Sequence, residues 1–168
     1  MTLLDAPVFD EARDRRHKNI LKGVVSVLIL LFVGAWLVSG RPVDWPWHWY
    51  IHLRGRVAIN GFLTAVEKKD MPTAYGIWIH DKNWQQHPRT SGAYTFERFQ
   101  DDWSPASPDN EYGVIQSHKI AAARVYGNVL LTAVLVNGRK SKPISLDYDP
   151  RDHTLSFSPP DVELYLGP

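Results

Sequence analysis

Cysteine is absent from all 168 residues. Its absence excludes disulfides, thiol catalysis and thiolate metal centres, and it suits either side of a membrane. Net charge is nearly absent too, with 19 Lys and Arg against 18 Asp and Glu. From Arg41 onward the two signs balance at fourteen each. Such a domain has no surplus of cations with which to displace counterions from nucleic acid, so no nucleic-acid partner is expected. The chain also lacks a glycine-rich phosphate loop, a His-Glu-x-x-His pair, a nucleophile elbow and any Asn-x-Ser/Thr sequon. No cofactor and no metal are expected.

What the chain does have is one long uncharged run, Gly23 to Gly40, extended past Lys22 by Ile20 and Leu21. A hydrocarbon core about 30 Å thick needs about 20 helical residues to cross it. Backbone in lipid must satisfy its own hydrogen bonds, so the run has to be helical. Residues 20–40 are therefore expected to form a single transmembrane helix. Two rivals are a buried core helix and a cleaved signal peptide. The first would show a broader polar stripe than Ser26 and Ser39, and the second a shorter run with a small-x-small cleavage site.

Orientation follows from the flanking cations. Arg13, Arg15, Arg16, Lys18 and Lys22 precede the run, and only Arg41 closely follows it. The expectation is an inner (cytoplasmic) membrane protein with a cytoplasmic tail, 1–19, and a domain on the periplasmic or other extracytoplasmic side. The tail, with Leu3, Leu4, Val8 and Phe9 among charges, reads as a disordered leader.

Residues 41–50 form an aromatic linker. Trp45, Trp47, Trp49 and Tyr50 begin just beyond the predicted bilayer edge, where amphipathic rings favour the membrane–water boundary. His48 and His52 stand at i, i+4, a spacing that can present two imidazoles on one helix face, but no third ligand is evident from spacing.

Residues 51–168 read as one α+β domain, large enough for a single core. A helix is expected from about Tyr50 to Lys69, with Val57, Ala58, Gly61, Phe62, Ala65 and Val66 on its buried side. Asp70 should cap a second helix, Pro72 to Ile79, and Phe96, Phe99 and Trp103 mark a third, Thr95 to Trp103. Four strands should follow: Val114–Val125, Val129–Val136, Arg139–Tyr148 and His153–Ser158, the second and third joined at Asn137-Gly138. The second strand is apolar on both faces. With helices covering one, Leu130, Val134 and Val136 are assigned to the other as an interaction surface for a partner.

The order of elements resembles the nuclear transport factor 2-like (cystatin-like cone) superfamily. The resemblance rests on residues 57–75, a long helix, a charged hinge and a short helix with Ala74-Tyr75, and on Thr95-Phe96-Glu97-Arg98-Phe99. It implies three helices on a curved four-stranded antiparallel sheet. In the superfamily's isomerases and dehydratases it also implies an acid–base group beside an apolar cavity. No family motif falls on a numbered position here. Tyr75, Asp81, His87 and His118 are the candidate cavity residues of this chain; the plainer reading makes Tyr75 a core side chain, Asp81 and His87 polar loop residues and His118 a strand residue facing water.

The functional expectation is a single-pass, non-catalytic accessory, assembly or scaffold subunit. Its partners would be the membrane and either other membrane protein subunits or a second copy. A membrane-tethered small-ligand-binding protein or isomerase-like enzyme is the alternative.

Overall fold

The computed structural model describes residues 11–39, 44–87, 94–107 and 110–158. The expected leader residues 1–10, and the C-terminal residues 159–168, lie outside the described residues. The apolar run belongs to helix α1, Glu11–Ser39. This helix starts well inside the segment read as a disordered tail. Two i, i+4 ion pairs, Arg15–Glu11 and Lys18–Asp14, bracket its first turns and favour helix there.

After a single 3-10 turn, Pro46–His48, the chain enters α2, Trp49–Glu67. Helix α3, Met71–Trp78, is capped by Asp70, whose side chain accepts the Thr73 N–H at 3.2 Å. Helix α4, Phe96–Trp103, is capped by Thr95 through the Arg98 N–H at 3.3 Å. Each cap satisfies one of the otherwise unpaired amides of a helix start.

The sheet is an open antiparallel meander, β1 (His118–Tyr126), β2 (Val129–Val136), β3 (Ile144–Tyr148) and β4 (Leu155–Phe157), in that spatial order. The architecture is thus α+β, as the pattern of the chain predicts. Strand β1 begins at His118 rather than Val114 because Asn137 takes up the backbone before it. The Asn137 carboxamide accepts the Gln116 N–H at 2.8 Å and donates to the Val114 carbonyl at 2.7 Å. Asn137 and Gly138 both adopt positive φ, yet the turn opens into a longer connection. Val134 pairs with Ile144, and Pro143 can give no N–H to an earlier rung.

The core lies between the sheet and helices α2, α3 and α4. Phe62 of α2 sits amid Trp78, Phe99 and Trp103, with ring centroids at 5.1, 6.1 and 4.8 Å. The last two contacts are edge-on, an arrangement aromatic quadrupoles favour. Phe157 of β4 closes the cluster by stacking on Trp103 at 5.6 Å.

Two predicted faces require correction. Leu130, Val134 and Val136 are completely buried in this helix-facing core, so they are not a surface offered to a partner. The opposite face of β2 carries Leu131 and Ala133, also closed to solvent, beside the buried Asp147 that lies opposite Leu131. Burial raises the Asp147 carboxyl above its ordinary range, against a hydrogen bond from Ser158 that lowers it. In α2 the buried stripe runs through His52, Gly55, Ile59, Phe62, Leu63 and Val66. Val57, expected inside, is 71% exposed.

Candidate functional site at the membrane junction

The junction between α1 and the domain is built around Asp44. Its carboxylate joins two imidazoles, Oδ1 to His48 Nδ1 at 2.7 Å and Oδ2 to His52 Nε2 at 3.0 Å. The Trp45 N–H donates to Oδ1 at 2.8 Å, and the Trp49 Nε1–H donates to the Asp44 backbone carbonyl at 3.3 Å. One residue thus fastens both the 3-10 turn and the start of α2. Spacing of four residues between Asp44, His48 and His52 makes this possible, since each step is about one helical turn.

The electrostatics of the cluster are defined by burial. Burial alone would raise the Asp44 carboxyl, but hydrogen bonds from His52, His48 and the Trp45 amide outweigh it and hold the group below its ordinary range. Burial lowers the His52 imidazole, and this dominates the raising effect of Asp44. His52 is fully buried, and its Nδ1 meets no hydrogen-bond partner among the described residues. A neutral ring donating from Nε2 to an ionised Asp44 satisfies both facts. Protonation would place an N–H at Nδ1 without an acceptor.

Among the described residues, no group of three His, Asp or Glu is arranged to hold a metal ion. The Asp44 oxygens are instead committed to the imidazoles as hydrogen-bond acceptors. Sequence reasoning singled out His48 and His52 but missed Asp44 as the group that unites them. The signal was a second step of the same four-residue spacing, back from His48 to Asp44.

The aromatic linker splits into two populations. Trp45 and Trp47 stack at 5.3 Å, nearly parallel, and remain exposed. Tyr50 is exposed as well and carries the Arg54 guanidinium over its ring at 5.4 Å. Trp49 turns inward to α1, where a Cβ added at Gly34 would stand 3.1 Å from the Trp49 Cη2 atom. Next to this contact, Ala35 is buried although its neighbours along α1 are not. The glycine gives the indole room to lie against the helix backbone.

The candidate cavity residues do not form one site. Tyr75 is buried and donates its hydroxyl to the Tyr94 carbonyl at 2.7 Å. It borders a shallow pocket of about 220 Å³ together with His87, Trp84 and Phe96. Asp81 joins His87 at 3.0 Å, and its other oxygen accepts the Asn83 N–H, as in a turn. His118 lies apart, clamped to α2 by Glu67 at 2.6 Å and Asn60 at 3.2 Å. Tyr75, Asp81 and His87 are therefore neighbours, whereas His118 ties the first strand to the long helix.

A separate groove of about 660 Å³ opens between α2, α3 and the β3–β4 turn. Its lining is largely apolar, with Val57, Ala58, Gly61 and Ile77, and also holds Arg54, Lys82, His80 and the hydrogen-bonded Tyr148–His153 pair. Nothing in the hydrophobic pattern of α2 set these positions apart from its core face.

Comparison with protein-family models, with curated proteins and with solved structures finds no match to this chain. Among the described residues, one N-terminal helix is long and apolar enough to cross a membrane.

Proposed function

We propose that this protein is a single-pass, membrane-anchored accessory, assembly or scaffold subunit that performs no catalysis itself. In this reading α1 spans the inner membrane with its basic end in the cytoplasm, and the α+β domain stands on the extracytoplasmic side. The observation that carries the proposal is the packing of the folded domain onto the apolar helix. Trp49 lies against Gly34, and Ala35 is buried beside it. A leader peptide destined for removal has no need of such a joint. The rest of the helix supports lipid as its surroundings: Leu30 and Leu37 are 70% and 71% exposed, unlike a core helix.

Three features favour a binding role over catalysis. The space between helices and sheet is occupied by the Phe62, Trp78, Phe99 and Trp103 rings. The Tyr75 hydroxyl is used to hold the segment at Tyr94. His118 is engaged by Glu67 and Asn60 in an interelement clamp. These assignments commit Tyr75 and His118 to structural contacts, which leaves the Asp81–His87 pair beside the small pocket as the acid–base group on which the isomerase-like alternative would rest. The order of helices and the meander are consistent with a nuclear transport factor 2-like domain, and that membership forms part of the proposal. Fold alone would not supply a reaction in any case.

The test is affinity capture of the tagged full chain from native membranes in mild detergent after brief cross-linking. Other membrane subunits or a second copy should be recovered with it. Recovery of the monomer alone, with and without cross-linker, would contradict a subunit role.

A further inference from the structure

The first half of α2 exposes large apolar side chains where a solvated helix should be polar. Tyr50, Leu53 and Val57 follow one another at helical spacing and are exposed at 55%, 53% and 71%. The stacked Trp45 and Trp47, also exposed, immediately precede α2 in the chain. Past Val57 the stripe runs into the groove lined by Gly61 and Ile77. We propose that this stripe and groove form a second membrane contact, in which α2 lies on the bilayer surface and Arg54 and Lys82 hold anionic phospholipid headgroups. The proposal rests on the reading of α1 as a retained anchor.

Position is the first argument. The Trp49 indole reaches Gly34, five residues before the end of α1 at Ser39, which is about 7.5 Å of helix rise. The start of α2 is thereby held beside the C-terminal, domain-facing end of α1. Charge is the second. No acidic residue occurs from Trp49 to Val66, and the groove's described lining holds Arg54 and Lys82 with no carboxylate. Basic side chains at a bilayer surface are drawn to anionic headgroups, an attraction that falls off within a Debye length. The residue types are the third: exposed Trp and Tyr at the water boundary, aliphatic side chains between them and cations at the edge match an interfacial helix. A second copy on the same face fits less well. A two-fold contact sets a patch against itself, directing the cations of one protomer toward those of the other.

Because the chain has no cysteine, single spin labels can be introduced without background. The full chain, one molecule per nanodisc of equal phosphatidylcholine and phosphatidylglycerol, would carry the label at L30C, L53C, V57C or Q100C. Collisions with oxygen and with a water-soluble nickel chelate are then compared. Labels at L30C, L53C and V57C should favour oxygen and lose nickel collisions, and the exposed α4 site Q100C should show the reverse. Adding Arg54→Glu and Lys82→Glu to V57C should restore nickel collisions. A V57C label as open to nickel as Q100C, with L30C protected, would overturn the surface contact and leave the anchor standing. A nickel-accessible L30C would sink both. Protection of V57C only in discs loaded with two copies would assign the face to a second protomer and refute the lipid assignment.

Discussion

At the scale of single residues, the junction turns on whether one buried imidazole is charged. His52 has a folded-state pKa below that of the unfolded chain because burial penalises its cation. The sign of the linkage is then fixed. Between the two pKa values the unfolded chain binds the extra proton, so stability rises with pH across that window. The contribution of a neutral His52 is complete above its unfolded value of about 6.5 and is lost as pH falls toward the depressed folded value. Asp44 acts lower on the scale, since its carboxyl is held down in the folded state and its contribution disappears only below the ordinary carboxylate range. Chemical denaturation of the detergent-solubilised full chain should therefore show lower stability at about pH 5 than at about pH 7. Replacing His52 with Leu, of similar volume and without a titrating group, should flatten that difference. An unchanged pH slope in the variant would place the titrating group elsewhere.

At the scale of elements, α2 is the axis on which the domain is assembled, and Gly55 is where sheet and helix come nearest. A Cβ added there would stand 2.5 Å from Leu130 Cδ2 and 2.9 Å from Tyr148 Cδ1. Both neighbours are buried and cannot retreat into solvent. Gly55→Ala should thus cost about 1–3 kcal/mol through overpacking, despite the gain in helix propensity that alanine brings at an ordinary site. Thermal or chemical unfolding measures it, and a neutral or stabilising outcome would show that the sheet can shift away from α2.

The same helix shows how far the elements could be read in advance. The order of helices followed by strands, the cap at Asp70 and the strand-rich second half were legible because periodicity and turn residues agree there, whereas Thr95 was read as the first helical residue and proves to be the cap before it. Which side of α2 faces inward was not. Gly55, Ile59 and Phe62 form one stripe, and Val57, Ala58 and Gly61 form another. Helical spacing alone does not choose between them. The choice lies with the close approach at Gly55, a contact made by residues 75 or more positions away. Strand β2 has the same ambiguity, since Leu130, Val134 and Val136 alternate with the equally apolar Leu131, Ala133 and Leu135. The site was half legible for a related reason: helical spacing exposed His48 and His52, but Asp44 precedes the helix and joins them only through the 3-10 turn.

For the molecule as a whole, a greasy N-terminal helix is joined to a domain whose core is already filled. The aromatic cluster around Phe62 supplies internal cohesion, and the Asp44 junction with the Trp49–Gly34 contact orients the domain on its helix. These features support a molecule whose purpose is to hold a protein surface at a bilayer. Alkaline carbonate extraction of native membranes, followed by intact-mass measurement of the chain, examines that claim most directly. The account predicts that the chain remains in the membrane pellet with residues 11–39 still attached. Release of the chain into the supernatant, or a mature species cut between α1 and α2, would contradict it.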